Sequence, residues 1–250
     1  MLDRVMGRGK NGSNGADKVG LGTTRRPVIG LALGGGAARG FAHIGIVKTL
    51  VAHGIVPNVV VGTSIGAVVG GAYAAGHLDT LEEWARSLQP RSVFSYLDIR
   101  LNGSGLIGGA KLATELEASI GQTLIEDLPI KFATVATEVR TGHEIWLTHG
   151  RMVDAMRASY ALPGISTVMV DAFNIMQDRI TRARLAGDPP DLLISPRVGQ
   201  IGWFDFHRAD DLIAHGARAA ERAIESIQEA IGILAPPDKA TAPAEKTAES

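Results

Sequence analysis

Residues Gly62 to Gly66 read Gly-Thr-Ser-Ile-Gly, a G-x-S-x-G turn between an apolar β-branched run, Val56 to Val61, and a small-residue helical stretch, Ala67 to Ala75. A serine on a sharp strand-to-helix turn stands clear of the chain with its hydroxyl exposed. Glycines two residues to either side remove the Cβ atoms that would block the turn. The five letters are weak alone, but the strand before and the helix after sharpen them. Ser64 therefore reads as a candidate nucleophile, against the plainer reading of a structural bend.

A second glycine cluster precedes the elbow. Val28 to Leu33 reads as a buried strand. Gly34-Gly35-Gly36-Ala37-Ala38-Arg39-Gly40 then turns into a helix whose apolar positions Phe41, Ile44, Val47, Leu50 and Val51 follow helical spacing. Unpaired N–H groups and the positive end of the helix dipole favour negative charge at such a start, so the loop is an anion cradle. Two anions suit it: a nucleotide phosphate, or the oxyanion formed when a serine attacks an ester carbonyl. A dinucleotide fingerprint requires G-x-G-x-x-G and an acidic residue closing the second strand. Read from Gly35, the third position is Ala37, and the second strand ends in the Thr63-Ser64 elbow without a carboxylate. No Gly-Lys-Ser or Gly-Lys-Thr follows, which removes a P-loop. The nucleotide reading also leaves Ser64 idle.

GLALGGGAARGFAHIG (Gly30 to Gly45), GTSIG (Gly62 to Gly66), ALPG (Ala161 to Gly164) and NIMQDRITRARLAGDPPDLLISP (Asn174 to Pro196) together resemble the bacterial patatin-like phospholipases, over roughly Val28 to Glu229. The resemblance implies an α/β fold with a mainly parallel sheet flanked by helices. It implies hydrolysis of lipid carboxylic esters, with phospholipid or lysophospholipid as substrate and no cofactor. By the same resemblance Ser64 is the nucleophile and the backbone around Gly35, Gly36 and Ala37 is the oxyanion hole. Gly34, Arg39, Gly40, Gly62 and Gly66 then support it. Arg39 either braces the loop or meets a lipid phosphate, against the plainer reading of a surface-paired arginine. The family base is an aspartate in an Asp-Gly-Gly or Asp-Gly-Ala sequence, and no histidine takes part.

The chain departs from that pattern, because none of its aspartates is followed by glycine. After Ala161 to Ile165 it passes from Ser166 directly into a helical pattern, Thr167 to Ala186, where the family has several dozen further residues. Three readings stand: a stretch of the natural protein is missing from the chain, an internal deletion is genuine, or another carboxylate substitutes. Asp154 and Asp171 are the candidates for the last, although each lies in a helical pattern and reads first as a solvated helix carboxylate. A patatin-like module that binds lipid or a protein partner without turnover is the alternative function. A Ser-His-Asp triad is the other route to an active serine, and His143, His149, His207 and His215 follow the elbow as chain order requires. Only one clear strand precedes Ser64, however, which disfavours it. His43 and His53 flank the first helix and read as packing or surface residues.

The remaining patterns give helices near Leu78 to Leu88, Ala110 to Ile120 and Arg151 to Ser159, and strands at Ile130 to Val139, Glu144 to Thr148 and Leu192 to Ser195. One last helix spans Ala209 to Ile233, and Gly54 sits where a helix C-terminal glycine is expected. At 250 residues and 45% hydrophobic content the chain can bury one α/β core. The expected organisation is a basic, disordered arm over residues 1–26, an acyl-hydrolase domain over 27–234 and a disordered tail over 235–250. The arm holds six basic and two acidic residues and no signal-peptide h-region. It reads as solvated chain, with contact to anionic headgroups as the second reading. A net charge of −1 leaves no footprint for nucleic acid. Cysteine is absent, excluding disulfides and thiol catalysis, and the histidine spacings suggest no metal. No apolar run reaches membrane-spanning length. A cytoplasmic protein, with peripheral contact to a membrane surface, is expected. The stretch Val93 to Gly109 is read either as an apolar lip over the site or as an ordinary packed loop.

Overall fold

The computed structural model describes residues 27–90, 109–138, 140–161 and 185–235. Strand β1 (Gly30–Leu33) runs into the glycine loop and a 3-10 turn (Ala37–Phe41), which continues as helix α1 (Ala42–Ala52). Strand β2 (Val59–Thr63) passes through the elbow into α2 (Ile65–Ala74), and α3 (Leu78–Ser87) follows. Beyond lie α4 (Ala110–Ile120), β3 (Lys131–Thr137), β4 (Glu144–Leu147) and α5 (Met152–Tyr160). A 3-10 turn (Phe206–Arg208) opens α6 (Ala209–Glu221), and α7 (Ile224–Leu234) ends the described chain.

The sheet has the order β1-β2-β3-β4. Strands β1, β2 and β3 are parallel, and β4 returns antiparallel on β3. This mainly parallel sheet with flanking helices is the α/β fold expected from the alternating pattern. Its register positions the site. Leu33 lies opposite Gly62, so the loop beginning at Gly34 and the elbow at Thr63-Ser64 leave the sheet side by side at its carboxyl edge.

Burial explains the sequence of each element. Small and apolar residues fill α2 because nearly every side of it is covered, Tyr73 being its one partly exposed position. One core joins Leu33, Phe41, Ile44, Val60, Val68, Phe132, Met152, Met156 and Leu212; Ile46, Leu50, Ile55, Ala220 and Ile224 make a second cluster. Helix α1 meets α6 at very close range. A Cβ at Gly45 would overlap the Ile213 carbonyl, and one at Gly216 would overlap that of Ala42. At its far end α1 closes as expected at Gly54, whose φ is +75°. The Ile55 N–H reaches the Leu50 carbonyl and the Gly54 N–H that of Val51, both at 2.9 Å, which satisfies the last carbonyls of the helix.

Three expectations are corrected. Leu192 to Ser195 is not a strand. Pro190 and Pro196 bracket it and no described strand runs alongside, so the segment has no ladder partner; Leu193 stays 65% exposed while Ile194 packs on the second cluster. The last helix is two, broken at Arg222 and Ala223, because the turn there lets Ile224 and Ile227 join Ile46, Leu50 and Ile55. Strand β2 starts at Val59 rather than Val56, behind the fully buried Pro57, which has no N–H to donate. The arm (1–26), the lip except Gly109 (93–108), Leu162 to Gly164, most of the helix at 167–186 with Asp171, and the tail from 236 lie outside the described residues. Among the described residues no helix is long and apolar enough to cross a membrane.

Candidate active site

Ser64 holds φ 54° and ψ −123°, a left-handed conformation that side chains other than glycine adopt at a cost of about 1–3 kcal/mol. Neighbouring groups hold it there. The Ser64 N–H donates to Ser159 Oγ at 2.8 Å, and Ser159 Oγ donates to the Val135 carbonyl at 2.6 Å. Thr63 Oγ1 donates to the same carbonyl at 3.2 Å. The elbow is thus tied to β3 and α5. Gly62 and Gly66 leave the space it needs, since a Cβ at Gly62 would overlap the Gly66 carbonyl and one at Gly66 the Leu33 carbonyl. The Ser64 side chain makes no cap bond to the helix it starts. Among the described residues its hydroxyl has no hydrogen-bond partner, and the residue is half-buried.

The glycine loop runs alongside. A Cβ at Gly35 would stand 3.6 Å from the Ser64 Cβ. Gly36 has φ +152° and Ala37 φ 47°, so the loop turns through two successive residues outside the ordinary right-handed region. Two neighbouring N–H groups are already used: Ala38 donates to the Trp203 carbonyl at 3.0 Å and Arg39 to the Gly36 carbonyl at 3.1 Å. Among the described residues the N–H groups of Gly35, Gly36 and Ala37 have no acceptor. Among the described residues the loop thus offers three unused donors, and at Gly35 it runs against the residue whose hydroxyl is unengaged. Gly40 is shut against α2, because a Cβ there would overlap Ile65.

Arg39 turns away from solvent carboxylates. Its Nε donates to the Ile201 carbonyl at 2.6 Å and an Nη to the Gly199 carbonyl at 3.4 Å, and the guanidinium lies 5.1 Å from the Trp203 ring centre. These contacts fasten the turn after the loop to the segment preceding α6. Gly34 accepts at its carbonyl from His43 Nε2 at 3.0 Å. Burial pulls the His43 ring below its ordinary pKa of 6.5, against the opposing pull of that bond, and its Nδ1 is buried without a partner.

Asp154 lies in the first turn of α5, exposed, with Arg151 Nη1 at 3.3 Å. It precedes Ser159 by five residues, about 140° around a helix of 3.6 residues per turn, so it faces away from the elbow. Among the described residues no three metal-ligating side chains cluster. Ser159 and His43 carry contacts that motif reading missed. A serine one residue before Tyr160 and a histidine four residues after Arg39 give no local sign of a partner 95 residues away or of a loop carbonyl.

A family model described as patatin-like phospholipase matches residues 31–183, well over half of the chain. An uncharacterised NTE-family protein of Mycobacterium bovis is 38% identical over 174 residues, covering 68% of this chain and 48% of that protein. A patatin-like phospholipase domain-containing protein of Caenorhabditis elegans is 33% identical over 57% of this chain and 11% of its own length. The lysophospholipase nte1 of Neurospora crassa is 28% identical over 69% of this chain and 12% of its own. The chain thus spans about half the length of that Mycobacterium bovis relative and far less of the larger ones. A family model that takes in both the glycine loop and the elbow, on a parallel sheet that sets them side by side, leads to one assignment: the chain belongs to the patatin-like phospholipase family.

Proposed function

We propose that the chain is a serine acyl hydrolase that cleaves carboxylic esters of phospholipid or lysophospholipid through an acyl-enzyme on Ser64. The observation that carries this reading is a strained elbow serine next to the glycine loop, where among the described residues the Ser64 hydroxyl and the N–H groups of Gly35, Gly36 and Ala37 have no partner. In the reaction the Ser64 Oγ bonds to the ester carbonyl carbon, and the carbonyl electrons move onto an oxygen that these donors stabilise. The serine proton passes to a base and then to the departing alcohol; water releases the acyl group in a second round. Arg39 keeps the loop in place from behind. The lysophospholipase name of one relative agrees in substrate class. Peripheral contact with a membrane from the cytoplasmic side supplies the substrate.

Treatment with a fluorophosphonate tests this reading. Ser64 acquires the label and Ser64→Ala does not; an intact, folded chain that never labels would sink it. The second reading, a module that binds lipid or a protein partner without turnover, draws on a specific observation: no Asp-Gly sequence exists, and among the described residues no carboxylate meets the Ser64 hydroxyl. Lipid binding with no hydrolysis of a short-chain nitrophenyl ester would favour it.

A further inference from the structure

His43 stands on α1, one turn beyond the glycine loop, and its ring reaches back to that loop. A carbonyl oxygen can only accept, so the 3.0 Å contact with Gly34 requires the proton on Nε2. The other nitrogen, Nδ1, is buried and among the described residues has no partner. A doubly protonated ring would place an N–H there with nothing to receive it, and burial accordingly favours the neutral form. The ring is therefore a one-proton donor of fixed direction, aimed at one carbonyl.

That carbonyl belongs to the same peptide unit as the Gly35 N–H. Among the described residues no peptide bond is cis, and in a planar trans unit the C=O and N–H point in opposite directions. Holding the Gly34 carbonyl on the side of His43 and Gly66 turns the Gly35 N–H the opposite way, on the stretch of loop beside Ser64. The carbonyl is confined from a second side by the start of α2, since a Cβ at Gly66 would stand 2.6 Å from it. A Gly-Gly-Gly run has no side chain of its own to set a peptide orientation and loses more conformational freedom on ordering than any other sequence.

We propose that His43 is a positioning residue for ester cleavage: it fixes the Gly34–Gly35 peptide so that the Gly35 N–H is oriented, before substrate arrives, as a donor to the oxyanion. It neither attacks nor carries a proton in the reaction. The role rests on the Ser64 acyl-enzyme reading above. It also gives a function to a histidine whose position beside the first helix reads as packing or surface.

Two variants and one measurement on the unaltered chain test the assignment. His43→Leu keeps bulk and removes the donor; His43→Gln keeps an N–H at similar reach. With a nitrophenyl ester, His43→Leu lowers kcat and the fluorophosphonate labelling rate by about 10- to 100-fold, less than outright loss of an oxyanion donor, while KM stays within about twofold. His43→Gln recovers most of that rate. A folded His43→Leu with unaltered kcat overturns the proposal, as does a folded His43→Gln no faster than His43→Leu. If His43→Leu fails to fold, nitrogen NMR of the unaltered chain decides: a protonated Nε2 and bare Nδ1 are expected, and the opposite tautomer overturns the role. An unaltered chain that neither turns over ester nor labels defeats the acyl-enzyme reading itself, whereas normal turnover with an indifferent His43→Leu defeats only His43.

Discussion

Ser159 shows how a single hydroxyl can hold a strained turn. It accepts from the Ser64 N–H and donates to the Val135 carbonyl, so each of its hydrogen-bonding roles serves the elbow. Ser159→Ala leaves the Ser64 N–H without its partner in a half-buried setting, which costs about 1–3 kcal/mol. In a chain of this size that lowers Tm by about 2–4 °C for each kcal/mol. The backbone at Ser64 is then free to relax toward ordinary angles, and labelling by a fluorophosphonate slows by about tenfold, one part of the pre-organisation that oxyanion sites depend on. Equal labelling rates for Ser159→Ala and the unaltered chain would refute this. The elbow and the glycine loop were legible in the sequence because their cause is local: glycine spacing decides where a chain can turn that sharply. Ser159 and His43 were not, because their partners are set by β3 meeting α5 and by α1 folding back on its own loop. The first pairing spans 95 residues, and the second depends on how a turn and a helix fold back rather than on residue spacing.

At the scale of elements the fold depends on close backbone approach as much as on apolar burial. Helices α1 and α6 cross with Gly45 against the Ile213 carbonyl and Gly216 against the Ala42 carbonyl. Adding a methyl group at either position presses on backbone that cannot step aside as a flexible side chain would. Gly216→Ala should therefore destabilise by about 1–3 kcal/mol, although alanine is the better helix former by about 1 kcal/mol. A thermal melt checks the sign: propensity alone raises Tm, and overlap lowers it. The helical period and the β-branched runs were enough to read α1, α2, α4 and β1 to β3. They misled where tertiary partners decide. The apolar Leu192 to Ser195 has the composition of a strand but no neighbour to complete a ladder, and the break between α6 and α7 contains neither proline nor glycine. There the second apolar cluster redirects the chain by drawing in Ile224.

At the scale of the molecule, Glu82 and His43 are two of the groups that make stability depend on pH, and they act in separate windows. Lys48 on α1 reaches Asp79 at 2.7 Å and Glu82 at 2.5 Å on α3, and Arg86 joins Glu82 to Asp210 on α6. For Glu82 burial acts to raise the carboxyl, but the hydrogen bonds from Lys48 and Arg86 outweigh it and hold the group below its ordinary 4.5. A carboxylate depressed in the folded state contributes stability above its unfolded pKa and loses it as pH falls through the lower folded value. His43 is also depressed, from 6.5, chiefly by burial. Below pH 6.5 the unfolded chain takes up a proton there that the folded chain refuses, so stability falls as pH drops toward the folded value and levels off beneath it. The slope from one such group cannot exceed about 1.4 kcal/mol per pH unit. Denaturant unfolding of the unaltered chain, His43→Gln and Glu82→Gln at pH 7.5, 5.5 and 3.5 separates the two. His43→Gln should flatten the loss between pH 7.5 and 5.5 and leave the acid limb intact. Glu82→Gln should lower stability at pH 7.5 by about 1 kcal/mol, as a partly exposed ion pair does, and reduce the further loss below pH 4.5. Identical slopes for the unaltered chain and His43→Gln above pH 5.5 would mean that folded His43 takes up its second proton as readily as the unfolded chain does. The Gly34 carbonyl would then be held by a cation whose second proton has no acceptor.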